Sequence, residues 1–307
     1  MIFMKTLLIT GGSGFVGGNL SFVASSRWKY CTTFHSSSAR NQGENAFFLD
    51  ITNKESVEKM ICDISPNVII HAAAVANMNI SAENSEYAMN VNVRGTENVA
   101  LTAEKVRARL VYLSTDLVFS GNKSMSSEED IPEPVCFYGK TKLEGEKVVA
   151  SLSSDFCIAR MALCFGLSLN SSRCFAECIV RELKHKKEVR LFTDEFRSPI
   201  YINNLCEILL ELAERDDLPQ LLHICGQERL SRYDFGVRLA KKFDFDEDLI
   251  IPCSADEFSF SDRRPKDCSM KNDKASRCLR TRFWEIEESL MHMKNMWDQK
   301  INSGNIK

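Results

Sequence analysis

A turn that holds five glycines between positions 11 and 18 constrains the fold of this chain more than any other stretch. The apolar run "KTLLIT" (residues 5–10) leads directly into it, and "FVGGNLSFVASS" (residues 15–26) carries apolar residues at helical spacing. Glycine has no Cβ, so a cluster of glycines lets the backbone come unusually close to another group. The pattern predicts a buried strand, a tight turn and a helix, with something held against the turn.

Strand-like and helix-like segments alternate through the first half of the chain. Short apolar runs predict further strands and longer stretches with helical periodicity predict helices. The strands are expected at residues 29–34, 45–50, 67–74 and 109–115, and the helices at 53–64 and 85–106. Apolar strands that alternate with amphipathic helices are typical of a parallel sheet covered on both faces. We therefore predict an α/β protein with a Rossmann-type doubly wound parallel sheet.

Composition excludes several classes of protein. The formal net charge is −3 at pH 7, so the chain lacks the basic excess typical of nucleic-acid-binding proteins. Its twelve cysteines include no C-x-x-C pair, and no His and Cys spacing indicates a metal site, so we expect reduced thiols and a cytoplasmic protein. No run reaches about 18 apolar residues, and the apolar opening leads straight into the glycine turn. We expect neither a membrane span nor a signal peptide.

The spacing of the glycines indicates what approaches the turn. Gly11, Gly14 and Gly17 form a G-x-x-G-x-x-G motif between the first strand and the first helix. The pyrophosphate of a dinucleotide binds at such a place, on the exposed N–H groups and the positive end of the helix dipole. The alternative is a turn that serves only tight packing of helix on strand. The strand–turn–helix context favours a dinucleotide cofactor.

The end of the second strand bears on which dinucleotide is bound. Proteins that prefer NAD usually carry an acidic residue there, which binds the ribose 2′-hydroxyl. Here the strand ends in "TTFHSSSAR", and Ser36 and Arg40 are placed to accept a 2′-phosphate. The sequence predicts a preference for NADP(H), with NAD(H) as the alternative.

A second motif, "YGKTK", places Tyr138 and Lys142 four residues apart, on one face of a predicted helix. A phenol has a pKa of about 10, and a neighbouring cation such as Lys142 is expected to lower it. The fifth strand ends with Thr115 and Asp116, and ligands bind at the carboxyl ends of such strands. The pattern predicts a tyrosine that transfers a proton beside a hydroxyl that binds a substrate oxygen.

These motifs resemble a known family over nearly the whole chain. They are "TGGSGFVGG" in the glycine turn, "HAAA" at 71–74, "NVNVRGT" at 90–96, "STDLVFSG" at 114–121, "YGKTKLEGE" at 138–146, "RSPIYINNL" at 197–205 and "RRPKDCSM" at 263–270. The chain resembles an extended short-chain dehydrogenase/reductase, and within that group the dTDP-4-dehydrorhamnose reductase family. The resemblance implies an NAD(P)H-dependent reductase of a nucleotide-linked 4-keto-6-deoxy sugar.

The resemblance also implies roles for individual residues. Tyr138 would protonate the keto oxygen, Lys142 would hold the nicotinamide ribose, and Thr115 would orient the carbonyl. Asn92 matches a position that is either structural or part of a proton relay. The family pattern places the cofactor against Gly11, Gly14, Phe15, Val16, Gly17, Asp50, Ile51, Ala72, Ala73, Ala74, Tyr138 and Lys142.

The substrate side departs from the family pattern at one place. Thr115 and Asp116 match positions that contact the sugar nucleotide, but Leu163 stands where rhamnose-pathway reductases typically carry a tryptophan. We expect weak activity on dTDP-4-dehydrorhamnose, and either a related but different sugar nucleotide as the native substrate or a regulatory role. Arg197 is expected either to bind a substrate phosphate or to hold the two parts of the chain together.

Two parts are expected along the chain. Residues 1–165 are predicted to form a dinucleotide-binding domain to which 197–225 returns, and residues 166–196 with 226–307 a smaller C-terminal α/β substrate-binding region. Two other functions stay open: a regulatory subunit resembling the β subunit of methionine adenosyltransferase, and a sugar-nucleotide epimerase or dehydratase. A dehydratase usually has an acid pair after the strand-five hydroxyl, and here Leu117 follows Asp116. A homodimer also stays open.

Two further patterns predict packing. His71, in an apolar strand, is expected to be a core residue. Phe283, Ile286, Leu290, Met293 and Trp297 have helical spacing and are expected to dock a terminal helix.

Overall fold

A computed structural model describes residues 5–35, 45–169 and 174–302. A π-helical turn, Asn90–Arg94, joins two of the helices. In chain order the elements are β1 Thr6–Thr10, α1 Phe15–Ala24, β2 Lys29–Phe34, β3 Ala46–Phe48, α2 Lys54–Ile64, β4 Val68–His71, α3 Met78–Glu83, α4 Ser85–Met89, α5 Gly95–Val106, β5 Arg109–Thr115, α6 Phe137–Leu152, β6 Phe156–Met161, β7 Cys164–Phe165, α7 Phe175–Lys184, β8 Val189–Phe192, β9 Phe196–Arg197, β10 Ile200–Tyr201, α8 Ile202–Glu214, β11 Leu221–Ile224, β12 Leu230–Ser231, α9 Arg232–Lys242, β13 Ile250–Cys253, α10 Asp273–Cys278 and α11 Ile286–Asn302.

Seven strands form the central sheet, in the order β11-β6-β5-β4-β1-β2-β3. Every neighbouring pair is parallel, which confirms the predicted Rossmann-type sheet. The chain runs outward from β1 to β3 and then crosses back to β4 on the other side of β1. Ligands of such sheets bind at this reversal, outside the carboxyl ends of the strands. The carboxyl ends of β1 and β4 therefore mark the expected site.

The strands at the centre of the sheet are buried along almost their whole length because helices cover both faces. Successive side chains of a strand point to opposite faces. Leu7 and Ile9 accordingly belong to one buried cluster, which includes residues of α8 and α11, and Leu8 belongs to another, which includes residues of α2 and α5. Both clusters consist of fully or almost fully buried side chains. The two-sided burial rigidly supports the loops at the carboxyl edge of the sheet.

The predicted helix over 85–106 is a continuous helical run with a wider turn in its middle. Helix α4, the π-helical turn and α5 follow one another without a break. The turn contains Asn92, which is fully buried, accepts a hydrogen bond from the Val75 N–H at 2.7 Å and donates one to the Thr141 hydroxyl at 2.9 Å. Such turns occur often at functional sites. Here the turn ties the loop after β4 to α6.

The C-terminal part contains three small two-stranded sheets, β10-β7, β12-β9 and β13-β8. The five residues of the predicted terminal stripe are all less than a tenth exposed, so α11 is docked by its apolar face as expected. Strand β11 pairs with β6 at the edge of the central sheet. The division into two domains stays a prediction. Of the helices in the described residues, none is both long enough and apolar enough to cross a membrane.

Candidate active site

The glycine turn closes against the loop that follows β4. Gly11 has a φ of +74°, a conformation that favours glycine. A side chain at this position would place its Cβ 2.8 Å from the Ala73 backbone. The Gly12 N–H donates to the Thr33 carbonyl at 2.7 Å, which anchors the turn to β2. Gly14 is the N-cap of α1, whose first turn carries no acidic residue. No carboxylate in the first turn of α1 therefore compensates the positive end of the helix dipole.

A cavity of about 300 Å³ opens beside this turn, at the carboxyl ends of β1, β2 and β4. Its wall includes seven of the residues expected to bind the cofactor: Gly11, Gly14, Asp50, Ile51, Ala72, Ala73 and Ala74. Phe15, Val16 and Gly17 of α1, and Tyr138 and Lys142 of α6, are not part of this wall. Ser36 and Arg40 lie outside the described residues. A helix N-terminus facing a half-apolar cleft suits the pyrophosphate and adenosine of a dinucleotide.

Several cavity residues escaped the sequence reasoning. They are Ser13, Thr33, Phe34, His35, Leu49, Thr52, Tyr87, Asn90 and Val91, whereas Val75 continues the wall expected after the fourth strand. Most of them lie at or just after the carboxyl end of a strand of the sheet, and the rule that strand ends meet at one edge would have found them. Tyr87 and Asn90 come from the α4 region, and they carry no local signal because only the tertiary fold brings that helix to the cleft.

A buried hydrogen-bond chain holds the cleft wall after β4. The Thr10 hydroxyl oxygen accepts from the N–H groups of Ala72 and Ala73, each at 3.2 Å. Its own proton is therefore donated to His71 Nδ1 at 2.7 Å, and His71 Nε2 donates to the Thr96 hydroxyl at 3.1 Å. Burial lowers the pKa of His71 to about 3, so the ring is neutral at pH 7. His71 is the packed core residue that the sequence predicts.

Tyr138 and Thr115 meet where α6 packs on the end of β5. Thr115 is the last residue of that strand, and Tyr138 is the second residue of the helix. The N-cap of α6 is Cys136, whose sulfur accepts from the Gly139 N–H at 3.3 Å. A Cβ at Gly139 would lie 2.1 Å from the Leu117 carbonyl oxygen, so only glycine allows this approach. The close packing brings the phenol to the Thr115 hydroxyl.

The electrostatics of Tyr138 differ from the expectation. Burial raises the pKa of its phenol well above the ordinary value, the Asp116 carboxylate raises it further, and the Thr115 hydroxyl opposes both. Lys142 instead lies with its Nζ 4.0 Å from the centre of the Tyr112 ring. The prediction that Lys142 lowers the pKa of Tyr138 is therefore wrong for this structure, because burial dominates and the ammonium faces another ring.

Lys142 is 2% exposed, on the same face of α6 as Tyr138. Burial lowers the pKa of its ammonium group to about 7, and the Glu146 carboxylate opposes that shift. A lysine with such a pKa is only partly protonated at neutral pH. Its charge therefore depends on the groups around it.

Asp116 and Arg197 form a buried pair, with Arg197 Nε 3.6 Å from Asp116 Oδ2. The other guanidinium nitrogens donate to the backbone carbonyls of Phe196 at 2.7 Å and of Pro265 and Lys266 at 3.3 Å. Burial raises the pKa of Asp116, and the Arg197 charge opposes it. Of the two roles expected for Arg197, these contacts favour holding the turn after β5 to the C-terminal part.

Leu163 lies between β6 and β7, where it is half-buried. Its carbonyl accepts from the Ile200 N–H at 3.0 Å, which fixes the backbone next to β10. The side chain offers an aliphatic surface with no hydrogen-bonding group.

A second cavity, of about 630 Å³, separates the loop after β5 from the C-terminal part. It contains three basic residues, Arg263, Arg264 and Lys266, beside two stacked rings, Phe258 and Phe260. The basic residues belong to a motif that the sequence singles out, whereas the rings carry no sequence signal. The full wall is formed by Ser120, Gly121, Asn122, Val135, Glu195, Ala255, Asp256, Phe258, Phe260, Asp262, Arg263, Arg264, Pro265 and Lys266.

Comparisons with known proteins agree with this geometry. A family model described as the RmlD substrate-binding domain matches residues 4–298. A dTDP-4-dehydrorhamnose reductase of Aggregatibacter actinomycetemcomitans is 32% identical over 242 residues, which are 77% of this chain and 78% of that protein. The methionine adenosyltransferase 2 subunit beta of Xenopus tropicalis is 28% identical over 295 residues, 93% of this chain and 87% of that protein.

Solved structures show the same relationship. The dTDP-4-dehydrorhamnose reductase of Bacillus anthracis, in complex with NADP, has a TM-score of 0.86 at 25% identity and covers 96% of this chain and 100% of that chain. The UDP-glucose 4-epimerase of Thermotoga maritima, with a TM-score of 0.82 at 18% identity, covers 96% of this chain and 99% of that chain and shares the fold. The near-complete family match and the 32% identical relative show that the chain belongs to the RmlD family, together with the dTDP-4-dehydrorhamnose reductases.

Proposed function

We propose that this protein is an NADPH-dependent reductase of a nucleotide-linked 4-keto-6-deoxy sugar. The observation that carries the proposal is the meeting of Thr115 and Tyr138 at the carboxyl edge of a sheet whose glycine turn opens a cleft of about 300 Å³. Lys142 lies one helical turn beyond Tyr138 on the same face of α6. Family membership adds support, because a relative at 32% identity is a dTDP-4-dehydrorhamnose reductase.

The cofactor assignment is supported by the cleft and by a relative. The cleft brings the N-terminus of α1 and the Ala72–Ala74 wall together, and the Bacillus anthracis reductase is in complex with NADP. When bound, NADPH would supply the hydride for the carbonyl carbon. Gly11, Gly14 and Asp50 would hold its phosphate and adenosine parts, and Lys142 its nicotinamide ribose.

The chain's own residues supply the proton and the orientation. The Tyr138 phenol stays protonated at neutral pH because its pKa is raised, so it is a donor for the oxygen that gains negative charge during reduction. The Thr115 hydroxyl already donates to Asp116 Oδ1 at 3.1 Å and accepts from the Leu117 N–H at 3.2 Å. These bonds hold the hydroxyl in place beside the phenol.

We place the nucleotide part of the substrate in the second cavity. Arginines bind phosphate oxygens in a bidentate manner, and aromatic rings stack on nucleobases. Arg264 lies 4.0 Å from the centre of the Phe260 ring and 3.7 Å from Glu195, so charge and ring surface adjoin each other. On this proposal residues 1–165 with 197–225 hold the cofactor, and residues 166–196 with 226–307 hold the sugar nucleotide.

The cofactor preference is tested by titration. We expect NADPH to bind more tightly than NADH, because the sequence after β2 has no acidic residue before Glu44 to bind a free ribose 2′-hydroxyl. Replacing Arg40 (Arg40→Ala) is expected to weaken NADPH binding and to leave NADH binding unchanged. Arg27→Ala is the matched control, since Arg27 pairs with Glu207 at 2.8 Å on an exposed surface. Tighter binding of NADH by the wild type would contradict the preference.

The substrate is tested with a panel of nucleotide-linked keto sugars, followed by NADPH absorbance. We expect turnover of at least one and weak activity on dTDP-4-dehydrorhamnose, because Leu163 lacks the flat ring and N–H of tryptophan. Leu163→Trp is expected to raise kcat/KM on that substrate about tenfold, within the range of one pocket contact. Leu101→Trp, at an exposed position of α5, is the control. Efficient wild-type turnover without gain in the variant points to the plain rhamnose assignment.

One observation favours a regulatory role as the second candidate. The Xenopus tropicalis methionine adenosyltransferase 2 subunit beta matches 93% of this chain, at 28% identity. On this alternative the protein binds a dinucleotide and serves a partner enzyme. NADPH binding without turnover of any sugar nucleotide in the panel is the result that favours it.

The expected compartment and the homodimer remain predictions. All twelve cysteines are free thiols in the structure. Free thiols are usual in reducing compartments, so they support a cytoplasmic protein.

A further inference from the structure

Glu146 is a buried carboxylate one helical turn beyond Lys142 on α6, and the sequence reasoning assigned it no role. It is 5% exposed. One carboxylate oxygen accepts from the Ser114 hydroxyl at 2.5 Å and from Arg160 Nε at 2.9 Å, and the other accepts from Arg160 Nη2 at 2.7 Å. Hydrogen bonds from both neighbouring strands, β5 and β6, therefore fix its position.

Glu146 supplies negative charge near the buried ammonium group of Lys142. The ammonium rests on the Tyr112 ring in a buried site, and Glu146 is the group whose charge favours its protonation. Four further titratable groups of this region are neutral at pH 7 because burial shifts their pKa values away from it. They are Tyr112 on β5, Tyr138 on α6, His71 on β4 and His223 on β11. The charged groups form two pairs, Arg160 with Glu146, and Arg197 with Asp116, which lies beside Tyr138.

We propose that Glu146 is a positioning residue that keeps Lys142 charged in the reductase site. The inference rests on the proposed function, since it assumes that Lys142 holds the cofactor ribose. Ser114 and Arg160 fix the carboxylate to the sheet, and the i,i+4 spacing on α6 directs it at the same face as Lys142. The contacts of β5 and β6 with Glu146 thereby help to keep Lys142, on α6, protonated.

The direction of the pH effect follows from the charges. Burial lowers the pKa of Lys142 to about 7, and Glu146 opposes that lowering. A protonated lysine is lost as the pH rises through its pKa. Without the carboxylate the pKa falls further, so the loss of function at alkaline pH begins at a lower pH.

The experiment replaces Glu146 with glutamine (Glu146→Gln), which keeps the shape and removes the charge. We measure kcat/KM and the Kd of NADPH against pH, from pH 5.5 to 9. The alkaline limb of both profiles is expected to move down by about one pH unit, the smallest shift expected from a nearby opposite charge. Above both pKa values this corresponds to about tenfold less protonated lysine.

Controls separate this role from a purely structural one. Glu146→Gln leaves Arg160 buried without its partner, so the double variant Glu146→Gln/Arg160→Gln removes both charges. It is expected to move the limb in the same direction by less, because loss of the Arg160 charge partly offsets loss of the carboxylate. Glu146→Asp retains the charge and is expected to restore the wild-type limb. Asp155→Asn is the matched control, because it removes the carboxylate paired with the buried Arg109 of the same sheet. It is expected to lower Tm without moving the limb.

The outcomes distinguish this inference from the proposed function. An unmoved limb in the folded double variant, for both kcat/KM and NADPH binding, overturns the role of Glu146. A wild type that binds NADPH but turns over no sugar nucleotide overturns the reductase proposal alone, since the binding profile still tests Glu146. A wild type that binds no NADPH overturns both.

Discussion

Replacing Tyr138 with phenylalanine (Tyr138→Phe) is expected to lower kcat by about 10²–10⁴-fold, the contribution typical of a general acid, while NADPH affinity stays unchanged. The substitution removes the phenolic proton and keeps the ring, which is buried against the end of β5. The loss of one hydroxyl leaves the Thr115 hydroxyl bonded to Asp116 and Leu117, so the site keeps its shape. The measurement is steady-state reduction of the preferred sugar nucleotide, together with a fluorescence titration of NADPH.

Lys142→Ala is the comparison variant, because it is expected to affect both cofactor binding and turnover. It is expected to weaken NADPH binding and to lower kcat, because it removes both a ribose contact and a cation. Tyr112→Phe serves as the control for loss of a buried phenol, since the Tyr112 hydroxyl contacts the backbone carbonyl of Lys142 only weakly, at 3.4 Å. Wild-type turnover by Tyr138→Phe would rule out the tyrosine as the proton donor.

The cofactor cleft was largely predictable because its signals are local in sequence. Gly11, Gly14 and the Ala72–Ala74 wall each follow a strand directly, and the parallel sheet brings the ends of those strands to one edge. Thr115 was predictable for the same reason, as the last residue of β5. Tyr138 and Lys142 follow from spacing on one helix. Each of these predictions needs only the spacing of residues along one helix or strand and the position where that element ends.

The charges around these residues were not predictable, because they depend on contacts between distant segments. Lys142 and Tyr138 share a helix face, yet the ammonium lies over Tyr112, 30 residues earlier in the chain. The second cavity combines Ser120 and Glu195 with Phe258 and Phe260, which no local pattern connects. Burial, which raises the pKa of Tyr138 and lowers that of Lys142, is a property of the folded chain alone.

Buried hydrogen bonds of Asn92 link the cleft wall to helix α6. Asn92 bonds to Val75 in the loop after β4 and to Thr141 on α6, whose hydroxyl donates to the Tyr138 carbonyl at 2.8 Å. The cleft wall and the first turn of α6 are therefore linked through one buried amide. On the proposed function, this link would keep a cofactor bound at the wall and the Tyr138 proton donor in a fixed relation. This relation favours the structural role for Asn92.

Gly17→Ala is expected to destabilise the protein by about 3 kcal/mol, the upper range for overpacking. An added Cβ would lie 2.2 Å from the Gly11 carbonyl oxygen and 2.8 Å from its carbon, so the helix α1 has to move away from the turn. For a chain of this size the Tm should fall by about 5–10 °C. Differential scanning calorimetry measures the Tm. An unchanged Tm would show that α1 can move away from the glycine turn without loss of stability.

Gly14→Ala is the matched variant that separates folding from binding. Its added Cβ would lie 3.3 Å from the same Gly11 oxygen, a tight contact that a small shift relieves, and its φ of −77° suits alanine. We expect a Tm close to that of the wild type and NADPH binding weakened about tenfold, because the new methyl group narrows the phosphate turn. Unchanged NADPH affinity in Gly14→Ala, with the fold intact, would remove Gly14 from the cofactor site. Loss of affinity at constant Tm would instead show that a methyl group at this position affects ligand binding and not folding.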